Sequence, residues 1–206
     1  MTIDSNILTQ LVCTRLSHDI VGNVGAVANA VELLEEGDMD FMDDIKSILK
    51  TSSTVLSARL RFFRLAFGLD NANLENREFM EKTVRDYLGT IGNRNYPLET
   101  EFLLTDPFFS RVALLAVMII ADMMIRGGKI TIAEKEGKLW VVSEGGIAPS
   151  EDKMLHLKEI FGGHQTELNA QFAPSYYLLK QAEEIGVNIY LLKSEFPCFM
   201  FERKGA

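Results

Sequence analysis

The chain has 206 residues, 47% of them apolar and 24% charged, with a formal net charge of −8. That balance belongs to a soluble globular protein of one large or two small domains. An acidic chain with no concentrated basic patch excludes a protein that grips the nucleic-acid backbone. No stretch reads as a signal peptide, and the longest apolar run, Val112 to Ala121, is too short to cross a bilayer and is followed by Asp122. No membrane segment is expected, and the cytoplasm is the expected location. Cys13 and Cys198 stand alone without metal-ligand spacing, so both are expected to be reduced and structural.

A first helix is expected from about Ser5 to Glu36. Its apolar residues Ile20, Val24, Val27, Val31 and Leu34 recur at steps of four and three, the mark of a helix that packs in a bundle. At 3.6 residues per turn, His18 points roughly 160° away from the centre of that stripe. Leu11, Thr14, Gly22, Gly25 and Asn29 fall on the same outward face. The two glycines each cost the helix up to about 1 kcal/mol relative to alanine. The compensating gain is clearance, because a helix with no side chains beyond the histidine lets another protein bring a reactive group to the imidazole. An isolated exposed histidine is usually a plain surface residue; here the neighbours argue for a role.

Gly37-Asp38 supplies a turn, and a second helix is expected from about Asp40 to Phe67, stopped by Gly68. Two helices of roughly 40 Å each cannot hide their apolar stripes by themselves. Pairing with a second hairpin solves this and gives a homodimeric four-helix bundle. Leu69 to Asn76 reads as a linker. Beyond it come a helix near Arg77 to Leu88, a strand near Leu98 to Leu104 and an apolar helix from Phe108 to Ile125. A hairpin of Lys129 to Lys135 and Leu139 to Ser143 follows, then helices near Glu151 to Ile160 and Pro174 to Ile185. Strands at Asn188 to Lys193 and Cys198 to Arg203 close the chain. The fold class is α plus α/β: a helical hairpin over residues 1–68, a linker at 69–76 and an α/β sandwich over 77–206.

Arg15-Leu16-Ser17-His18-Asp19 followed by Gly25-Ala26, with Arg61-Phe62-Phe63-Arg64-Leu65-Ala66-Phe67-Gly68 closing the second helix, resembles the ChpT-type histidine phosphotransferases of alphaproteobacteria. The similarity covers essentially the whole chain. It implies a dimer with a histidine-kinase-like second domain, whose bundle histidine takes a phosphoryl group from a receiver-domain aspartate and passes it to another receiver. The magnesium comes with the receiver, and no cofactor is expected on this chain. One departure is Asn23, which stands where kinases of the commonest type carry a proline.

The ATP-binding fold of histidine kinases needs an asparagine-bearing helix for magnesium, an Asp-x-Gly-x-Gly turn for adenine and a glycine-rich lid for the phosphates. Here the helix is apolar near Ile119, and the turn reads Ser143-Glu144-Gly145-Gly146-Ile147 without the aspartate. The lid position, Ala173-Pro174-Ser175-Tyr176-Tyr177, has no glycine to cradle phosphate. The resemblance therefore implies a degenerate nucleotide fold kept as scaffold and docking surface. Asp122 reads as a helix-end or surface residue, though one carboxylate could still meet a cation.

His18 is the expected phosphoryl carrier, since transfer from an acyl phosphate asks mainly for an aligned, unprotonated nitrogen. Asp19 is expected to orient the imidazole, against the plain alternative of a surface charge. Arg15, one turn before His18, either neutralises phosphoryl oxygens or forms an ordinary ion pair. Arg59, Arg61 and Arg64 could extend the docking surface or simply be solvated. His156 and His164 are expected to be structural or surface residues, and Trp140, Phe161 and Met118/Met123/Met124 to be core. A competing reading is an adaptor or inhibitor that only holds receivers or kinases through the same bundle. A third is an active autokinase.

Overall fold

Two long helices stand on the helices that cover a mixed five-stranded sheet in the computed structural model, which describes residues 3–36, 41–69, 71–124, 126–164 and 167–205. Helix α1 spans Ser5–Glu35. The Asp4 carboxylate caps it by accepting from the backbone N–H groups of Asn6 at 2.8 Å and Ile7 at 3.3 Å, which satisfies two donors that have no partner within the helix. Helix α2 spans Met42–Phe67 and ends at Gly68. A Cβ at Gly68 would run into the Arg64 carbonyl oxygen, so only glycine lets the chain leave the helix there. The expected Gly37-Asp38 turn lies outside the described residues. Ala30 and Ile45 are fully buried between the two helices.

The stretch expected as a linker carries a short helix, α3 (Asn71–Leu74). Its Leu74 is buried, and the Leu74 carbonyl accepts from the Ser110 hydroxyl at 2.8 Å. Polar composition marked this segment as a connection, but one apolar residue and one hydrogen bond tie it to the body of the protein. Then follow α4 (Arg77–Gly89), β1 (Leu98–Leu103), a 3-10 turn over 107–109 and α5 (Ser110–Met123). The chain continues with β2 (Gly128–Lys135), β3 (Lys138–Glu144), α6 (Glu151–Phe161) and a 3-10 turn over 170–172. It closes with α7 (Ala173–Glu184), β4 (Val187–Leu191) and β5 (Cys198–Arg203).

The sheet order is β1-β2-β3-β5-β4, with β1 parallel to β2 and every other pair antiparallel. Glu136 and Gly137 both take positive φ, 54° and 73°, the geometry a tight two-residue hairpin needs between β2 and β3. Alternation along the strands sends Ile130, Ile132, Leu139, Val141, Phe199 and Phe201 into the core under the helices. Trp140, expected in the core, is on the opposite side of the pleat, paired with Ala133 and Met200 and only half buried. Its neighbours Leu139 and Val141 take the inward positions, and period-two geometry leaves the tryptophan outside. Met118, Met123 and Met124 are buried as expected.

Residues Val112 to Ala121 of α5 are all buried, so this apolar run is a core helix. Among the described residues no helix is long and apolar enough to cross a membrane. The base of α2 enters the same core through Phe62, Phe63, Leu65 and Ala66, with Phe62 stacked on Tyr87 of α4 at 3.8 Å. The start of α1 packs differently, with Leu8 against Ile160 and Tyr176 of α6 and α7. These two contacts hold the hairpin upright, and α1 runs unbroken through Asn23 beyond them.

Candidate functional site

His18 stands on the part of α1 that faces away from these contacts, with its side chain 85% exposed. Thr14, Gly22, Gly25 and Asn29 are exposed beside it, as the helical period requires. A Cβ placed on Gly22 or Gly25 would have no heavy atom within 4 Å, so both glycines border open space. Leu11 departs from expectation. Expected on the outward docking face, it is half buried and packs on the α6–α7 cluster. The bundle stripe accounts for one buried side of α1, whereas its first turns have a second against the α/β unit.

The neighbour of His18 is held from two directions. Asp19 Oδ1 lies 3.6 Å from His18 Nδ1. Its other oxygen, Oδ2, accepts from Arg15 Nε at 2.8 Å. The Asp19 main-chain carbonyl accepts from the Arg59 guanidinium, which also donates to the Thr90 hydroxyl at 3.2 Å and the Thr90 carbonyl at 3.3 Å. Arg59 therefore clamps α1 to the end of α4 rather than extending a docking surface.

Arg15 takes the ion-pair alternative. Only 11% of its side chain is exposed. Besides Asp19 it donates to Asp122 Oδ1 at 2.8 Å and to the Gln171 carbonyl at 2.9 Å, so all three guanidinium nitrogens are committed within the protein. Asp122 sits in the last turn of α5 as that partner rather than as a free surface charge. Desolvation pushes the Asp122 carboxyl up from its ordinary value, and Arg15 pulls it back. Arg15 is desolvated too, but two facing carboxylates outweigh that and hold it more firmly protonated than usual. Tyr87 lies beneath the cluster, its hydroxyl pushed up by burial and then by the Asp122 charge.

Arg61 pairs with Asp86 at 3.0 Å, an acid that also holds Lys82 at 2.8 Å, and stays part-exposed. Arg64 is exposed at the rim of an open groove of about 710 Å³ that Leu16, Leu60, Phe63 and Phe67 also line. His156 is structural: its ring packs on Phe172 with centroids 4.2 Å apart.

Ile119, where the kinase resemblance would place a magnesium-binding asparagine, is buried. The cavity between Ile119, Asp122, Lys153, Phe172 and Pro174 measures about 20 Å³. The lid position forms the first turn of α7, where Ala173, Pro174, Ser175 and Tyr176 are all buried. Among the described residues no group of three or more His, Cys, Asp or Glu is placed to hold a metal ion.

Sequence reasoning missed Thr90, Gln171 and Tyr87 as members of the site and gave Asp122 and Arg59 other roles. One signal was available: Asp122 is the single charge in the apolar stretch from Val112 to Met123, and a lone buried charge implies a partner.

Residues 81–195 match the family model of the histidine phosphotransferase C-terminal domain. The chain is 28% identical to the protein phosphotransferase ChpT of Brucella abortus (strain 2308), a match that covers 92% of this chain and 91% of that protein. It is also similar to a solved structure described as a bacterial phosphotransferase, with a TM-score of 0.76, 25% identity and 98% of each chain covered.

Proposed function

The chain belongs to the histidine phosphotransferase family, and from that premise we propose that His18 carries a phosphoryl group from one receiver-domain aspartate to another, without ATP. The observation that carries this reading is the 85% exposure of His18 beside a carboxylate and two uncovered glycines. Asp19 lies on the Nδ1 side of the ring. Its charge favours the tautomer with the proton on Nδ1, which leaves the Nε2 lone pair pointing outward as nucleophile. Nε2 attacks the phosphorus of an aspartyl phosphate, the P–O bond breaks, and the receiver carboxylate leaves with the electron pair. The Nδ1 proton stays on the ring, where Asp19 offsets the positive charge. Transfer to the next receiver reverses these steps. The receiver brings the magnesium that neutralises the phosphoryl oxygens.

Transfer without ATP is supported by the small cavity over α5, whose roughly 20 Å³ holds about one water and no nucleotide. The hairpin (1–68) would supply the carrier and the dimer contact, and the α/β unit (77–206) the scaffold. Dimer formation is supported by Val24, Val31 and Ile48, which are 50%, 42% and 40% exposed on the hairpin. Val24 lies about 120° around α1 from His18, so a second hairpin covering it leaves the histidine free. Partners would be soluble receiver domains in the cytoplasm.

The test is transfer of label from a phosphorylated receiver to the wild type and to His18→Ala. The proposal expects label on the wild type and none on the variant, which keeps its fold. A variant that still passes the signal would make the protein an adaptor. Label appearing from ATP and magnesium alone would make it an autokinase.

A further inference from the structure

Helix α5 is apolar and buried at every position from Val112 to Met123 except Asp122. A buried charge pair is a poor device for stability, because apolar replacements of such pairs hold a fold as well or better. Its value has to be sought in what it orients. We propose that Asp122 is a positioning residue for phosphoryl transfer, fixing the Asp19 carboxylate against the His18 imidazole by way of Arg15. The inference rests on the reading of His18 as the carrier.

The geometry runs in one direction. An arginine on a helix surface samples many rotamers, but here Asp122 and the Gln171 carbonyl take both terminal nitrogens of Arg15. That leaves the Nε edge facing Asp19 one turn along α1, where it engages Oδ2. With Oδ2 occupied, Oδ1 is the oxygen turned toward His18 Nδ1. Lys153 of α6 adds a more distant positive charge on the Asp122 side. The docking of α1 does not depend on this chain, since Arg59 holds the Asp19 carbonyl from α2 and Leu8 packs on α6 and α7. Asp122 can therefore be changed without releasing the helix.

The experiment measures transfer from a saturating phosphorylated receiver, with its KM, and the ¹⁵N resonances of the His18 imidazole. Asp122→Asn keeps an acceptor oxygen and removes the charge. The maximal transfer rate is expected to fall about tenfold with KM nearly unchanged, in keeping with the sensitivity of positioned groups. The ¹⁵N spectrum is expected to move from one tautomer toward the mixture of a free imidazole. The double variant Arg15→Met with Asp122→Leu removes both charges of the pair between α1 and α5 and leaves only Asp19, beside the exposed His18, without its arginine, so it keeps the test open if Asp122→Asn folds poorly. It is expected to be stable and as slow as the single variant. A double variant with the wild-type rate would show that the pair acts only through folding, and an Asp122→Asn protein with the wild-type rate and tautomer would overturn the proposal. The wild-type arm separates the two readings: absence of label on His18 there defeats the carrier assignment itself.

Discussion

Arg15 of α1 and Asp122 of α5 are 107 positions apart in the chain and meet at 2.8 Å, with the same guanidinium holding Asp19 at 2.8 Å beside His18. One side chain thus joins the neighbour of His18 to the floor of the α/β unit. Arg15→Ala is expected to destabilise the fold by about 3 kcal/mol, because it leaves a desolvated carboxylate unpaired. Urea denaturation of the variant checks this. A loss below about 0.5 kcal/mol, the level of an ordinary surface substitution, would mean the pair is effectively solvated.

The glycines beside His18 give a prediction of opposite sign. A Cβ at Gly22 or Gly25 meets nothing within 4 Å. Alanine at either position is expected to raise stability by up to about 1 kcal/mol through helix propensity. Gly22→Phe is expected to fold as well as Gly22→Ala yet transfer slowly, since its ring would fill the space a receiver needs. Thermal melts paired with transfer assays separate the two effects, and a fast Gly22→Phe protein would show that the cleared flank is not an approach path.

The half-exposed valines of α1 offer a test of assembly. Val24→Glu combined with Val31→Glu places two charges on the face proposed to meet a second hairpin. Light scattering is expected to show a monomer, with helix content by circular dichroism little changed. A dimer that survives both charges would put the contact elsewhere.

Glu134 gives a pH dependence. Its Oε1 accepts from the backbone N–H groups of Thr105 at 2.7 Å and Asp106 at 2.6 Å, and its Oε2 from the Thr105 hydroxyl at 2.8 Å. Partial desolvation pushes the carboxyl up, but these hydrogen bonds outweigh it and hold it below the ordinary glutamate range. A depressed acid contributes stability above its unfolded value and loses that contribution as pH falls through the folded one. Glu134→Gln is therefore expected to be less stable than wild type at neutral pH, with the gap narrowing in acid. Melting curves across that range check it, and a gap that widens as the pH falls would contradict it.

Periodicity carried most of the fold because most elements, the fully buried α5 apart, have one buried and one open side. His18 could be placed outward from Ile20, Val24 and Val31 alone, and β2 and β3 could be aligned from alternation and the Glu136-Gly137 turn. Leu11 and Trp140 failed for the same physical reason, a second neighbour on an unexpected side. For Leu11 that neighbour is the α6–α7 cluster, and for Trp140 the fixed phase of the pleat gives the core to Leu139 and Val141. The tether from Asp122 through Arg15 was out of reach because charge pairing across 107 residues leaves no local period. Arg59, Arg61 and Arg64 look alike in the sequence. Only the fold separates an internal clamp, a pair with Asp86 and a groove-side charge.

The most direct measurement is the mass of this protein after mixing with a phosphorylated receiver domain, with fragmentation under neutral conditions that preserve phosphohistidine. The account predicts one added phosphoryl group, mapped to His18, which disappears when an unphosphorylated receiver is added. Phosphate on another residue, or none after complete loss from the donor, would contradict it.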